Sequence, residues 1–333
     1  MRLALALMVA LAILVPAGQL AASPSTPASL QSWSDPDTWG GDLPAAGDLV
    51  AIPAGKRVLL DVSPPDLAGL TVDGELVFDR QDLALTTEWI VVDGLLQIST
   101  SDRPFADRAT ITLTDRTSGE DVMGMGDRVL GQMGGRIDIH GAPTAARWTR
   151  LARNAEAGDD LITLERTVDW RVGDRIVLAS TDFDADQAEE ATIIGIDGDK
   201  VRLEEPLRYL HWGTDQVYGD SVVSERAEVG LLSSNVLIQA DASADESKKG
   251  GHVMSMAGRL RMSNIELTRM GQAGELARYP IHLNMKGDAS GDEIRDVATD
   301  GAYTWDPAVD TVSVKLVVRE GETDRAMDIE CRD

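Results

Sequence analysis

Ser234-Asn235-Val236-Leu237-Ile238 recurs further along the chain as Ser263-Asn264-Ile265-Glu266-Leu267. A second step of the same length reaches Ile294-Arg295-Asp296-Val297, again apolar at the first and fourth positions. A fixed period of this size, with short β-type segments at equivalent places, is the signature of a solenoid. One coil cannot cover its own apolar face, so its neighbours must stack on it. The reading predicts parallel β-helix coils over residues 226–291. A shorter echo lies upstream, where Val72-Asp73-Gly74-Glu75-Leu76 returns as Val92-Asp93-Gly94-Leu95-Leu96. Asp-Gly between β-rich runs marks a tight turn, because glycine tolerates positive φ.

Outward from these echoes the chain reads as all-β. Residues 33–150 form a first β-domain, in which Met123 to Gly135 is expected as a loop whose methionines fill gaps. Residues 151–225 form a small β-module. Its strands fall at Leu161–Leu164, Arg175–Ala179, Ala191–Ile196 and Lys200–Leu203, with a hairpin turn at Asp197-Gly198-Asp199. Residues 292–333 form a divergent acidic tail or cap, with Thr311–Val318 available as a strand. Residues 23–32 are a Ser/Pro/Ala-rich linker. Residues 1–22 read as a signal peptide. Arg2 precedes an unbroken apolar run from Leu3 to Val15, and Ala21-Ala22 offers a cleavage point before Ser23. That run is too short to span a bilayer, so the expected product is secreted, with no stable membrane insertion. The single cysteine, Cys331, allows no intrachain disulfide.

A net charge of −25 disfavours nucleic acid as a partner. The charge is uneven. Between Lys248 and Lys286 seven basic residues (Lys248, Lys249, Arg259, Arg261, Arg269, Arg278, Lys286) face only Glu266 and Glu275. This stretch is either a solvated face or a groove for an anionic polymer.

Longer motifs surround the echoes. Trp33, Trp39-Gly40, Gly47-Asp48 and Ile52-Pro53-Ala54-Gly55-Lys56-Arg57-Val58-Leu59-Leu60-Asp61 precede the Val-Asp-Gly pair. Trp170-Arg171-Val172-Gly173-Asp174, Ala179-Ser180-Thr181-Asp182-Phe183 and Gln187-Ala188-Glu189-Glu190 come next. Arg226-Ala227-Glu228-Val229-Gly230, Gly250-Gly251-His252-Val253-Met254, Met270-Gly271-Gln272 and Tyr279-Pro280-Ile281-His282 complete the set. Over about residues 33–291 this order resembles the eight-glycine (G8) domain proteins. Within them it resembles the family of the cell-migration-inducing and hyaluronan-binding protein and the transmembrane hyaluronidase. The resemblance implies an eight-glycine β-domain leading into a short right-handed parallel β-helix. It also implies contact with hyaluronan and dependence on calcium. Two departures stand out: Asn284 occupies the place of a second family histidine, and the family's later coils are missing after residue 291.

The expected function is a secreted carbohydrate-active protein that binds, and as an enzyme depolymerises, a hyaluronan-like acidic polysaccharide. A non-catalytic glycan-binding or adhesion module and a truncated inactive family member are the alternatives. His282, His252 and Asp288 are the catalytic candidates. The two histidines, one coil apart, suit acid–base or metal chemistry, or else are hydrogen-bonded structural residues. Glycoside hydrolysis calls for a carboxylate pair, one protonated. Asp288 and Glu266 are near the basic stripe, although Glu266 alternates with Ile265 and Leu267 and reads as an exposed strand position. Arg278 beside Tyr279 suits a sugar acid, by a two-point clamp and ring stacking, or is an ordinary solenoid edge. Gln272, Arg259 and Arg261 complete the expected contact set. Asp182 and Glu189 either supply oxygen ligands to calcium or order the junction with the solenoid.

Overall fold

The computed structural model describes residues 29–117, 119–300, 311–320 and 323–332. The expected signal peptide and residues 23–28 of the linker lie outside them. Within them the chain winds into a parallel β-helix, as its echoes predict. A narrow sheet takes one strand from each coil: Leu49–Ile52, Gly69–Val72, Ile90–Val92, Val129–Gln132, His252–Ser255 and Ile281–Leu283, all parallel. A wide sheet has two columns. The first holds Leu30–Ser32, Arg57–Leu60, Glu75–Phe78, Leu95–Ile98 and Arg136–His140. The second holds Leu83–Thr87, Ala109–Leu113 and Val236–Ala240. The long strand Arg259–Thr268 joins the columns, pairing with Arg136–His140 along its first half and with Val236–Ala240 along its second. Glu293–Asp300 lies on it in turn.

Alternation explains the core. Val50, Leu70, Ile90, Leu130 and Val253 stand in register on the inner side of the narrow sheet, all buried, with Ile281 packed against them. Branched aliphatic side chains stack well in such rows. The shorter echo is one coil, since Val72 stands opposite Val92 and Leu76 opposite Leu96. Its Asp-Gly pairs do not close hairpins; they turn the chain from the narrow sheet into the wide one. That corner demands glycine for want of space. A Cβ on Gly74 would overlap the Lys56 carbonyl oxygen, one on Gly94 that of Gly74, one on Gly135 that of Gly94, and one on Gly258 that of Gly135.

The longer echo marks a second corner. Leu237 stands opposite Glu266, as the period requires. The third instance is displaced, because Ile265 stands opposite Val297 rather than Ile294. The turn between Leu283 and Glu293 is longer, and it holds the buried Lys286–Asp292 ion pair (2.6 Å). The stack therefore continues past residue 291 into what reads from the sequence as a divergent tail. Beyond it, Thr311–Glu320 and Thr323–Arg332 form an antiparallel hairpin.

Between Gly141 and Asn235 the helix is interrupted by a six-stranded antiparallel sheet, ordered Trp148–Arg150, Glu228–Leu231, Arg175–Leu178, Glu189–Asp197, Lys200–Leu203, Leu161–Thr163. It has its own core, which includes Leu151, Ile162, Trp170, Ile176, Ile193 and Val201. Glu228–Leu231, expected in the solenoid, belongs to this module, and the helix resumes at Val236. The expected coils over 226–291 are also joined in register to strands of the segment 33–150, so the parallel stack is continuous across the insertion. Asn235 closes the gap. Its Nδ2 donates to the carbonyls of Phe105 (2.9 Å) and Asp107 (2.6 Å), while its Oδ1 accepts from the Ala142 N–H (2.8 Å).

Candidate functional site

The outer side of the narrow sheet carries the row Ala51, Thr71, Val91, Gly131, Met254 and His282. Each is one position from the inward row, so each points away from the core. The segment 121–126 lies across the middle of this face. Asp121 Oδ1 accepts from the Gly126 N–H (2.8 Å), and Met125 is buried on Gly131, where a Cβ would collide with it. Met125 thus fills a gap as expected. Met123 does not, being 64% exposed, and Val129–Gln132 is a strand rather than part of the loop.

At the last coil of this face Arg278, Tyr279 and His282 come together. The Tyr279 and His282 rings lie 5.4 Å apart, and Tyr279 is exposed. His282 Nδ1 lies 3.0 Å from the Ala277 carbonyl. A carbonyl only accepts, so Nδ1 carries the proton and Nε2 is left as the basic atom of the neutral ring. The Arg278 guanidinium lies flat against Gly126, in space that any side chain there would take.

The basic run divides sharply. Lys249 pairs with Glu275 (2.8 Å), Arg261 with Glu293 (2.9 Å) and Lys286 with Asp292. Arg269 donates to the Ala240 carbonyl and to Gln239, and Lys248 is also engaged. Among the described residues, only the guanidinium groups of Arg259 and Arg278 in this run make no hydrogen bond or ion pair. Arg259 and Asp288 line one polar cleft of about 360 Å³ at the glycine corner, together with Arg136 and Ser290. The sequence reading missed Arg136. The signal was present as a second echo, Gly135-Arg136 and Gly258-Arg259, whose arginines stand opposite each other in the ladder. The inserted module hides it by spacing the two copies far apart.

The remaining candidates lie elsewhere or are otherwise occupied. His252 is fully buried, and its Nε2–H donates to the Met125 carbonyl (3.0 Å). Burial drives its pKa down to about 3, helped by the nearby Arg278 and His282 and opposed by the Met125 bond. It stands opposite Pro280 rather than His282, whose ladder partner is Met254. Gln272 is buried and structural, donating to Asp127 Oδ1 (2.8 Å) and the Gly250 carbonyl (3.1 Å). The Ser290 N–H, and then its side chain, hold Asp288 below the usual carboxylate range. A general acid needs the opposite shift. Arg261 sits on the wide sheet, spent on Glu293. Glu266 is not exposed: the module covers it, and it accepts from Arg175 Nη2 (2.6 Å) and the Ser234 N–H (3.0 Å).

Asp182 and Glu189 lie in the module. Glu189 is buried, and both its oxygens accept from the Arg208 backbone N–H, with the Tyr209 N–H, Arg208 Nε and His211 Nε2 adding further bonds. Burial raises its pKa, but these donors outweigh burial and hold it below the ordinary value. Such a carboxylate is committed to the protein and does not fit a calcium ligand. Among the described residues no three His, Cys, Asp or Glu side chains cluster in a way that could hold a metal ion.

Residues 38–152 match the G8 domain family, and residues 248–311 match the CEMIP β-helix family. Human fibrocystin-L is 33% identical over 309 residues, which cover 78% of this chain and 7% of that protein. Canine fibrocystin is 32% identical over 278 residues, 76% of this chain and 7% of its own length. Communication mutant protein F of Dictyostelium discoideum is 28% identical over 292 residues, 84% of this chain and 26% of its own. The chain thus spans a small part of the curated relatives it matches. Among solved structures, the tailspike of Acinetobacter baumannii bacteriophage AP22, in complex with a capsular saccharide, aligns at 12% identity and a TM-score of 0.25. That alignment covers 66% of this chain and 38% of the tailspike, too weak a likeness to carry an argument. The G8 match covers the first coils and reaches the first strand of the inserted module, and the CEMIP β-helix match covers the last coils, so the chain carries a G8 domain and a β-helix segment similar to that of the CEMIP family.

Proposed function

We propose that this chain is a secreted carbohydrate-binding module that holds an acidic polysaccharide of the hyaluronan type on its outer face. One observation carries the reading. In a run of seven basic residues, Arg278 and Arg259 alone keep unspent guanidinium groups, and Arg278 sits beside the exposed Tyr279 and the half-buried His282. A free guanidinium clamps a sugar carboxylate, and the neighbouring ring covers the apolar face of a pyranose. Arg259 supplies further positive charge at the glycine corner, where its neighbour Arg136 is paired with Asp138 (2.9 Å). The apolar run Leu3–Val15 supports export, and the G8 and CEMIP β-helix matches support a glycan ligand.

A second reading, depolymerisation, is favoured by His282 alone, whose fixed tautomer presents Nε2 as a base. It lacks a protonated carboxylic acid partner, because Asp288 is held ionised. The test uses size-defined hyaluronan. Binding that weakens about tenfold in Arg278→Ala, and falls with added salt, supports the module. Chain shortening abolished by His282→Ala would establish the enzyme instead. No binding under any condition would sink the proposal.

A further inference from the structure

Lower on the same outer face, a cleft of about 450 Å³ opens between the segment 120–123 and the Asp-Gly corner. Its apolar side is made by Trp89, Val91, Val122 and Met133. Trp89 is held from two directions. Its ring lies on Gly69, where a Cβ would overlap it, and its Nε1–H donates to Glu120 Oε1 (3.1 Å). Opposite this wall stand Asp73 and Asp93, the acidic halves of the Val-Asp-Gly echo. They lie on successive coils, about 4.8 Å apart along the ladder. Both are exposed, and among the described residues neither carboxylate has a hydrogen bond or ion pair.

We propose that this cleft is a subsite for an uncharged sugar ring. The proposal rests on the carbohydrate-binding reading and extends it. No lysine or arginine lines the cleft, so a sugar carboxylate would meet Asp73 and Asp93 unscreened and be repelled. Sugar hydroxyl and amide groups are donors, and two free carboxylates accept from them. The wide apolar wall matches the C–H face of a pyranose, and its tryptophan is already fixed in place. Charge thus sorts the two ends of one face: arginine without a carboxylate partner at the last coil, carboxylates without a basic partner here. From Val91 to His282 is three ladder steps through Gly131 and Met254, about 14 Å at ~4.8 Å each. An oligosaccharide lying along the helix axis and over the Met125 turn reaches both ends.

The test is calorimetric binding of chitohexaose, an uncharged N-acetylglucosamine oligomer, and of a hyaluronan hexasaccharide. Both are titrated into the unaltered protein, Trp89→Ala, Arg278→Ala and the doubly substituted Asp73→Asn/Asp93→Asn. The last pair is exposed and leaves the Trp89 packing intact, so it answers if Trp89→Ala fails to fold. Chitohexaose should bind the unaltered protein, weaken about tenfold or more in Trp89→Ala and in the double variant, and lose less in Arg278→Ala than the hyaluronan hexasaccharide does. Hyaluronan binding that falls in Arg278→Ala, with no loss in either cleft variant and no chitohexaose binding, would overturn the subsite and leave the proposed function standing. If neither oligosaccharide binds the unaltered protein, the carbohydrate reading itself fails. Displacement of chitohexaose by tetramethylammonium at similar concentration would mark a cation site and overturn the sugar assignment.

Discussion

The β-helix and the module inserted in it are both made of short strands, yet they are held together differently. In the helix each strand is covered only by the coils above and below, so the inward row Val50, Leu70, Ile90, Leu130, Val253 is shared property of the whole stack. The module closes a six-stranded antiparallel sheet over a core of its own. The helix therefore depends on register across long sequence gaps, and the module on local hairpins. Their joint is small: Asn235 stitches the break, and Arg175 of the module meets Glu266 of the helix. A solenoid can carry a domain-sized insertion when the two broken ends of a coil are tied back to adjacent points.

The strongest way to test this contrast is to add one methyl group to each region. Gly94→Ala should destabilise the helix by about 3 kcal/mol or more, because its Cβ meets the Gly74 carbonyl. Gly198→Ala, at the module's hairpin turn, has open space and only a positive φ of 64° against it. It should cost about 1 kcal/mol. Thermal melts of the two variants measure the difference, and equal losses would erase it. Asn235→Ala comes next. It strands the carbonyls of Phe105 and Asp107 and should cost about 2 kcal/mol, with faster hydrogen exchange confined to residues near 105–109 and 141–142. Uniform acceleration throughout the helix would show that the stitch is not local.

Acid separates the regions by pH. His252 of the helix is buried neutral with its pKa near 3, while the unfolded ring titrates near its ordinary value of 6.5. The unfolded state thus binds the proton first. His252's contribution is complete above pH 6.5 and is lost as pH falls toward 3, by at most about 1.4 kcal/mol per pH unit. His140, also in the helix and also lowered by burial, adds in the same direction. Glu189 of the module is lowered from 4.5, so its contribution is complete above that value and is lost only below it. Hydrogen exchange at pH 5 should loosen residues 252–255 before 189–211, and His252→Gln should flatten the helix's response. The smallest expected effect is Glu266→Gln, which keeps the shape of the joint and weakens one charge-assisted bond to Arg175. About 1 kcal/mol, seen as faster protease cleavage between module and helix, is the expected outcome.

The same contrast governs what could be read from the chain. The Val-Asp-Gly echo was legible because the coil there has no insertion, so sequence spacing equals ladder register. The hairpin at Gly198 was legible because its partners are adjacent. Arg136 was not, since the module separates it from Arg259. Nor was the burial of Glu266, because alternation reveals that a side chain leaves the core but not that another domain waits outside. His252 and His282 do lie on adjacent coils, but two residues out of register, as coil lengths vary at the turns. The Trp89 cleft was invisible because Trp89, Asp73 and Glu120 meet only once coils and the segment 120–123 are stacked.

The glycine corner has a consequence for how such a molecule can diversify. Each glycine there backs directly onto the carbonyl of the coil before it, so no side chain can be added at those positions without parting the stack, and extra length enters on that edge only at the last coil, between Leu283 and Glu293. The opposite corner already accommodates the whole of residues 141–235. New recognition elements enter at the other turns, where the module, the segment 120–126 and the turn carrying Arg278 and Tyr279 leave the stack, so the solenoid has a fixed spine along its stacked glycines and margins open to elaboration elsewhere.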